Sequence, residues 1–217
     1  GDLPIQSQLL DSVGLAKLVP GAARKFAGGL YTPQDARAEP QMATPAMALG
    51  ARSKGAHVFT QCAVRTLETS GGRVSGVVTE RGRIACSSVV LAGGAWSRLF
   101  CGNLGLDFPQ LKMTGSVART LPMPGGPEIA VGGSDFAFRK RLDGGYTIAR
   151  RGATVSELTP DHFRLLFDFL PTAKREWHEL RLRWGSRFGS EWRTRKRWNA
   201  DEVSPFEEVR VLDPAPT

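Results

Sequence analysis

Two glycines at the end of an apolar run carry the clearest chemical signal in the chain. Residues Ser88-Val89-Val90-Leu91-Ala92-Gly93-Gly94-Ala95-Trp96-Ser97 read as a strand that empties into a turn without side chains. At Gly93 and Gly94 a phosphate or ribose could reach the main chain, and the N–H groups of the turn or helix start that follows could face it. A tight turn after a buried strand uses the same residues, because a glycine motif standing alone has low specificity. The valines at 89 and 90 argue for burial on both faces, as in a parallel sheet. Trp96 suits either the loop of such a site or a core aromatic closing the sheet, and Ser97 suits a helix N-cap.

Other residue types exclude more than they suggest. Cys62, Cys86 and Cys101 are odd in number and far apart, with no Cys-x-x-Cys pair, so neither a disulfide framework nor a zinc site is indicated and a reducing, cytoplasmic setting fits. His57, His162 and His178 are scattered, with no His-Glu-x-x-His or Gly-x-Ser-x-Gly pattern, and no metal site is expected. The formal net charge of +8 is uneven, with ten Lys or Arg against five Asp or Glu between Pro160 and Trp198. Within that stretch Arg181, Arg183, Arg187, Arg193, Arg195, Lys196 and Arg197 interleave with Trp184, Trp192 and Trp198. Aromatics among cations can stack bases while neutralising phosphate. A lid helix that packs its tryptophans inward and leaves its basic face solvated explains the same pattern, and basic helical faces are commonly just that.

The elements that must position these residues follow from periodicity. With 217 residues and 41% hydrophobic content the chain can bury a real core. No apolar run reaches the roughly 18 residues of a membrane span, and Gly1-Asp2-Leu3-Pro4 has neither signal-peptide features nor an initiator Met, which fits processing, a chosen boundary or an internal fragment. Pro20-Gly21 should end any short helix before it, and a connector leads into Gly28–Pro33. Met42, Ala46 and Leu49 predict a helix that starts at Pro40 or Pro45 and ends at Gly55. Short strands are expected at 56–59, 63–68, 73–79 and from Ile84 through Leu91, with turns at Ser70-Gly71-Gly72 and Arg81-Gly82. A helix from Ser97 stops at Gly105. Antiparallel strands are then expected at 113–120, 129–131, 136–141 and 146–150, the last two joined by Leu142-Asp143-Gly144-Gly145. Thr159-Pro160 opens a helix carrying Phe163, Leu166, Phe167 and Leu170, a second should hold Trp177, Leu180 and Trp184, and residues 201–217 read as loop.

Taken in order, Gly29-Leu30-Tyr31-Thr32-Pro33-x-Asp35-x-Arg37-x-Glu39-Pro40, Gly55-Ala56, Ala63-Val64, Gly72-Arg73-Val74-x-Gly76-Val77 and Val89–Ser97 resemble the middle of the FAD-dependent D-amino-acid oxidase superfamily. That superfamily includes glycine and sarcosine oxidases and D-amino-acid dehydrogenases. The hairpin Phe138–Thr147 resembles its substrate-domain strands. The likeness covers most of residues 28–150, whereas 151–217 resembles a narrower set of members. It implies a mixed α/β (α+β) fold, with a partial FAD-binding domain over 1–109 and a substrate-binding portion with a basic helical extension over 110–217.

The resemblance also implies roles. The position of Val64 holds the adenine through its backbone, and Gly93, Gly94, Ala95 and Trp96 match a loop that approaches the dinucleotide. Chemistry in the family is hydride transfer from the amine-bearing carbon of an amino acid or related amine to the flavin, so no catalytic acid or base is demanded of the chain. Substrate carboxylates are held by an Arg with a Tyr. Phe136 stands where some relatives have that Tyr, which makes Arg139, Arg141 and Tyr146 the substitutes. The Gly-x-Gly-x-x-Gly motif that opens the family's fold and its closing glycine-rich segment are both missing. The expectation is therefore an internal fragment, inactive alone, whose partners include the N- and C-terminal segments of the same protein. A noncatalytic scaffold subunit and a nucleic-acid-binding module over 181–198 are the alternatives.

Overall fold

The computed structural model describes residues 5–22, 26–113, 115, 117–150, 154–176 and 180–208. It has the mixed α/β character expected. Its first elements are β1 (Gln8–Asp11), α1 (Ser12–Leu18), β2 (Gly28–Tyr31), α2 (Pro40–Ser53), β3 (Val64–Ser70), β4 (Arg73–Thr79), β5 (Gly82–Ala85) and α3 (Ser97–Asn103). There follow β6 (Val117–Arg119), β7 (Val131–Gly132), β8 (Phe136–Lys140), β9 (Tyr146–Arg150) and β10 (Thr154–Glu157). The last are α4 (Pro160–Arg164), α5 (Leu166–Glu176), β11 (Leu180–Arg183), α6 (Arg187–Arg193) and α7 (Pro205–Glu208). Contacts gather them into two units, each discontinuous in sequence: Gly1–His57 with Thr114–Thr154 and His178–Arg181, and Val58–Met113 with Val155–Trp177 and Leu182–Thr217.

The first unit is built on an antiparallel sheet in the order β6-β9-β8-β7. Its hairpin pairs Phe136 with Arg150 through Lys140 with Tyr146, and the turn needs glycine: Gly144 has φ +83°, and a Cβ on Gly145 would lie 2.5 Å from the Thr120 carbonyl oxygen. Residues two apart on a strand share a face, so Phe136 and Phe138 stack at 6.0 Å, with Phe26 6.1 Å from Phe136 and Tyr146 5.9 Å from Phe138. This unit also holds a smaller hairpin, β1 with β2, in the stretch where sequence suggests only a connector. Helix α1 starts from Asp11, whose carboxylate accepts from the Gly14 N–H at 2.7 Å, and stops before Pro20. Helix α2 begins at Pro40, not Pro45, and ends before Gly55, whose φ is +91°.

In the second unit β3, β4 and β5 form an antiparallel meander. The Gly71-Gly72 turn has φ of +58° and +76°, the left-handed pair that a two-residue hairpin turn demands. Residues 198–207 lock the meander to α3. The Trp198 indole N–H donates to the Arg65 carbonyl at 2.8 Å, its backbone N–H donates to Asn103 Oδ1 at 2.9 Å, and its ring meets Phe206 edge-on at 5.4 Å. Arg65 also grips the Glu207 carboxylate with two hydrogen bonds, at 2.9 and 3.0 Å.

Four expectations are corrected. The strand from Ile84 stops at Ala85, with Cys86 making a last backbone bond to Ser75. Residues 86–93 form no strand, and Val90 is 90% exposed. No described strand runs beside 88–91, and a valine pattern suited to a ladder on each side makes none when the neighbours are absent. Residues 56–59 likewise stay irregular, with Phe59 exposed. The helix from Pro160 breaks at Leu165 into α4 and α5. The helix expected around Leu180 is instead β11, paired with β10, because Leu180-Arg181-Leu182-Arg183 alternates at period two, the strand period. Trp177, His178, Thr114, Ser116 and most of the expected C-terminal loop lie outside the described residues.

Candidate functional site

The glycine loop leaves its main chain bare. Gly93 leads into a single turn of 3-10 helix, Gly94–Trp96, closed by a Trp96 N–H to Gly93 O bond of 3.1 Å. Gly94 has φ +52°, and a Cβ there would meet nothing within 4 Å. Ala95 and Trp96 are exposed as well. Ser97 is buried and is the first residue of α3, so Trp96, not Ser97, occupies the N-cap. Val64 opens β3 opposite Thr79, and a register shift at Arg65 follows at once. This bulge, with two residues facing one, turns the Arg65 carbonyl to Trp198. Val64, Gly93, Gly94, Ala95 and Trp96 thus share the second unit.

The three substrate candidates lie in the first unit. Arg139 ion-pairs with Glu39 at 2.8 Å, fastening β8 to the start of α2, and its hydrogen bond holds the Glu39 carboxyl below the usual carboxylate range. Arg141 is buried. It donates to the carbonyls of Tyr146 at 2.6 Å and Thr120 at 3.0 Å and twice to the Asp143 carboxylate. Tyr146 is 2% exposed, and its hydroxyl donates to the Pro127 carbonyl at 2.9 Å. The polar groups of Arg141 and Tyr146 are committed to the hairpin and its neighbours.

A cleft of about 680 Å³ lies elsewhere in this unit, between the α1–β2 wall, residues 32–37 and residues 129–136. Tyr31, Thr32, Asp35, Arg37 and Ser134 supply its polar lining, and Leu15, Phe26 and Phe136 part of its apolar lining. Arg37 is the one cationic side chain among the described residues lining it, and its guanidinium donates to the Glu128 carbonyl. Phe26 and Phe136 also line a second, apolar cavity of about 590 Å³ with Met123, Phe138 and Ile148. In sequence the Tyr31–Arg37 motif serves recognition of the family and does not announce itself as a wall of a cleft. Its polar residues at 31, 32, 35 and 37, flanked by Pro33, are the available signal.

The basic stretch separates into different roles. Trp198 is core, whereas Trp184 and Trp192 are exposed and stack on Phe188 at 4.7 and 6.1 Å. In α4, His162 Nδ1 accepts from the Thr159 N–H at 3.1 Å, which makes Nε2 the protonated nitrogen, 2.8 Å from the buried Ser156 hydroxyl. Burial pushes the His162 pKa down. Among the described residues no group of His, Cys, Asp and Glu could hold a metal, and no helix is long and apolar enough to cross a membrane.

Comparisons with known proteins agree on one family. The chain is similar to a D-amino acid dehydrogenase of Bradyrhizobium diazoefficiens, 37% identical over 114 residues, which are 51% of this chain and 27% of the relative. Its fold matches the L-amino acid deaminase of Proteus vulgaris with TM-score 0.87 and 31% identity, over 100% of this chain and 50% of that one. A form of the Proteus vulgaris enzyme with its specific insertion sequence deleted matches with TM-score 0.59 and 33% identity, over 69% of this chain and 39% of that one. The chain thus spans about a quarter of the curated relative and half of the intact deaminase. The FAD dependent oxidoreductase family (DAO) profile matches residues 1–201, and the chain belongs to that family.

Proposed function

We propose that the protein carrying this chain oxidises an amino acid or related amine with FAD, and that its acceptance follows the L-amino acid deaminases. The observation that carries the cofactor side is the exposed turn at Gly94–Trp96, where Gly94 offers unobstructed backbone. That opening fits a dinucleotide approaching the main chain. In this reading the Val64 backbone holds the adenine, and Gly93, Gly94, Ala95 and Trp96 flank the dinucleotide. Bound flavin supplies the hydride acceptor. The substrate loses a hydride from its α-carbon and a proton from its amine, and water converts the resulting imine to a 2-oxo acid and ammonia.

On the substrate side the best-supported carboxylate partner is Arg37, the cation of the larger cleft, since a guanidinium suits bidentate recognition. Arg139 is the remaining candidate from the strands. Arg141 and Tyr146 serve the hairpin. The deaminase reading rests on the two Proteus vulgaris comparisons. Deleting the insertion lowers the matched share of this chain from 100% to 69%, and we infer that part of this chain corresponds to that insertion. The functional division we propose keeps 1–109 on the cofactor side and 110–217 on the substrate side, with Arg37 the residue of the first part that reaches the substrate.

The test uses the full-length protein with L- and D-enantiomers of phenylalanine, leucine and alanine, following 2-oxo acid release. Turnover of L-substrates with little from D-substrates supports the assignment. A preference for D-substrates would return the protein to the dehydrogenase group, and a colourless, folded protein inert to all six would end the oxidase reading.

A further inference from the structure

The second unit contains a smaller cleft that shares only Ala95 with the residues assigned to the flavin. It has a volume of about 220 Å³ and lies between α3, residues 106–112, α4 and residues 191–197. Five basic and three acidic side chains line it. The acids are already engaged: Asp161 pairs with Arg98 at 3.0 Å and with Arg164 at 3.4 Å, Asp107 pairs with Arg98 at 3.7 Å, and Glu191 pairs with Lys112 at 3.4 Å. Lys196 is different. Its ammonium donates to the Glu191 backbone carbonyl at 2.7 Å, and desolvation lowers its pKa, with Arg164 and Lys112 adding like-charge repulsion against the pull of Asp161 and Glu191.

Gln110, which also lines the cleft, supplies a second and independent observation. Its Oε1 is fully enclosed and has no hydrogen-bond partner. A buried acceptor left unpaired is destabilising, and such a group in a native fold calls for a ligand or water that satisfies it. The cleft therefore offers surplus positive charge together with one acceptor in need of a donor. A carboxylate or sulfate answers the charge and not the acceptor. A hydrogen phosphate answers both, with oxygens for the cations and an O–H for Gln110.

We propose that this cleft binds a small phosphate-type oxyanion, either free phosphate or a phosphomonoester, with Lys196 and Lys112 holding its charge and Gln110 Oε1 accepting a hydrogen bond from its O–H. The site joins residues following the glycine loop to the 151–217 segment, so occupancy would tie that segment to α3.

The experiment is calorimetric titration of the flavin-loaded full-length protein at pH 7 with inorganic phosphate, glycerol 3-phosphate and sulfate. Saturable binding of either phosphate species, at least tenfold tighter than sulfate, is the expected result, and the tighter of the two identifies the source. Lys196→Met should weaken phosphate binding at least tenfold, Lys196→Arg should largely preserve it, and Gln110→Leu should abolish the preference over sulfate, all with unchanged flavin absorbance. The proposal is overturned if no phosphate species binds saturably, if binding survives Lys196→Met intact, if sulfate binds as well as phosphate, or if phosphate displaces the flavin.

Discussion

The hairpin Phe136–Arg150 and the run at 87–94 are both strongly patterned in sequence, yet only the first becomes sheet. The hairpin contains its own partner. Its turn residues, cross-strand aromatics and the buried Arg141 all lie within fifteen positions of one another, and Tyr146 ends 2% exposed. Among the described residues the 87–94 run has no such neighbour, and Val90 ends 90% exposed. Pattern specifies which faces want burial, whereas a ladder requires a second strand, and only the hairpin brings one with it.

Breaking the self-contained region should have the largest effect. Arg141→Met removes four hydrogen bonds from a buried guanidinium, takes this donor from the Thr120 carbonyl and leaves the Tyr146 carbonyl with the Thr120 N–H alone. We expect a loss of about 3 kcal/mol in urea unfolding, and a change below about 0.5 kcal/mol would show that the hairpin does not need its arginine.

The clamp of the second unit comes next. Glu207→Gln should cost about 2 kcal/mol by breaking the paired hydrogen bonds to Arg65. Arg65 draws the Glu207 pKa down to about 2 from 4.5. The native carboxyl thus resists protonation, so its contribution is complete above about pH 4.5 and is lost as pH falls towards 2. Unfolding followed from pH 6 to pH 3 should show a smaller acid loss in the variant, and parallel curves would remove Glu207 as the cause.

His162 should give a weaker dependence in a higher window. Its pKa is lowered in the folded chain, so its contribution is present above its ordinary value near 6.5 and declines as pH falls below it. Melting temperature should fall between pH 7.5 and 5.5, and His162→Gln should flatten that limb at a cost of about 1 kcal/mol from the altered cap. A melting temperature that rises on acidification would contradict the assigned tautomer. At the smallest end, Val90→Thr should change the stability of the 217-residue chain by less than about 0.5 kcal/mol, whereas a large loss would mean that Val90 is packed.

The same contrast explains what sequence can reveal. Strand β4, the Gly71-Gly72 turn, the helix ended by Gly105 and the β8–β9 hairpin are legible because each is specified by residues close in the chain. Strands β1 and β2 are not: Gly28-Gly29 offers poor strand propensity, and their pairing closes a loop through α1. The period-two alternation at Leu180–Arg183 is visible but is masked by flanking tryptophans that fall at helical spacing. At the candidate site the glycine loop is legible because bare backbone has a composition. The roles of Arg141 and Tyr146 are not, since charge and hydroxyl look alike whether they face a substrate or a backbone carbonyl. The cleft around Arg37 depends on segments about a hundred residues apart, a separation no local pattern reports.

In the function we propose, the main chain at Gly94 receives the flavin nucleotide. This is tested most directly by purifying the full-length protein and its Gly94→Asn variant and measuring flavin absorbance against protein. Asparagine tolerates the left-handed backbone of this position, so the variant adds bulk with little strain. The expected result is a yellow wild type with equimolar FAD and a variant with unchanged circular dichroism and at least tenfold weaker flavin retention. A variant that keeps its flavin fully, or a folded wild type that binds none, would contradict it.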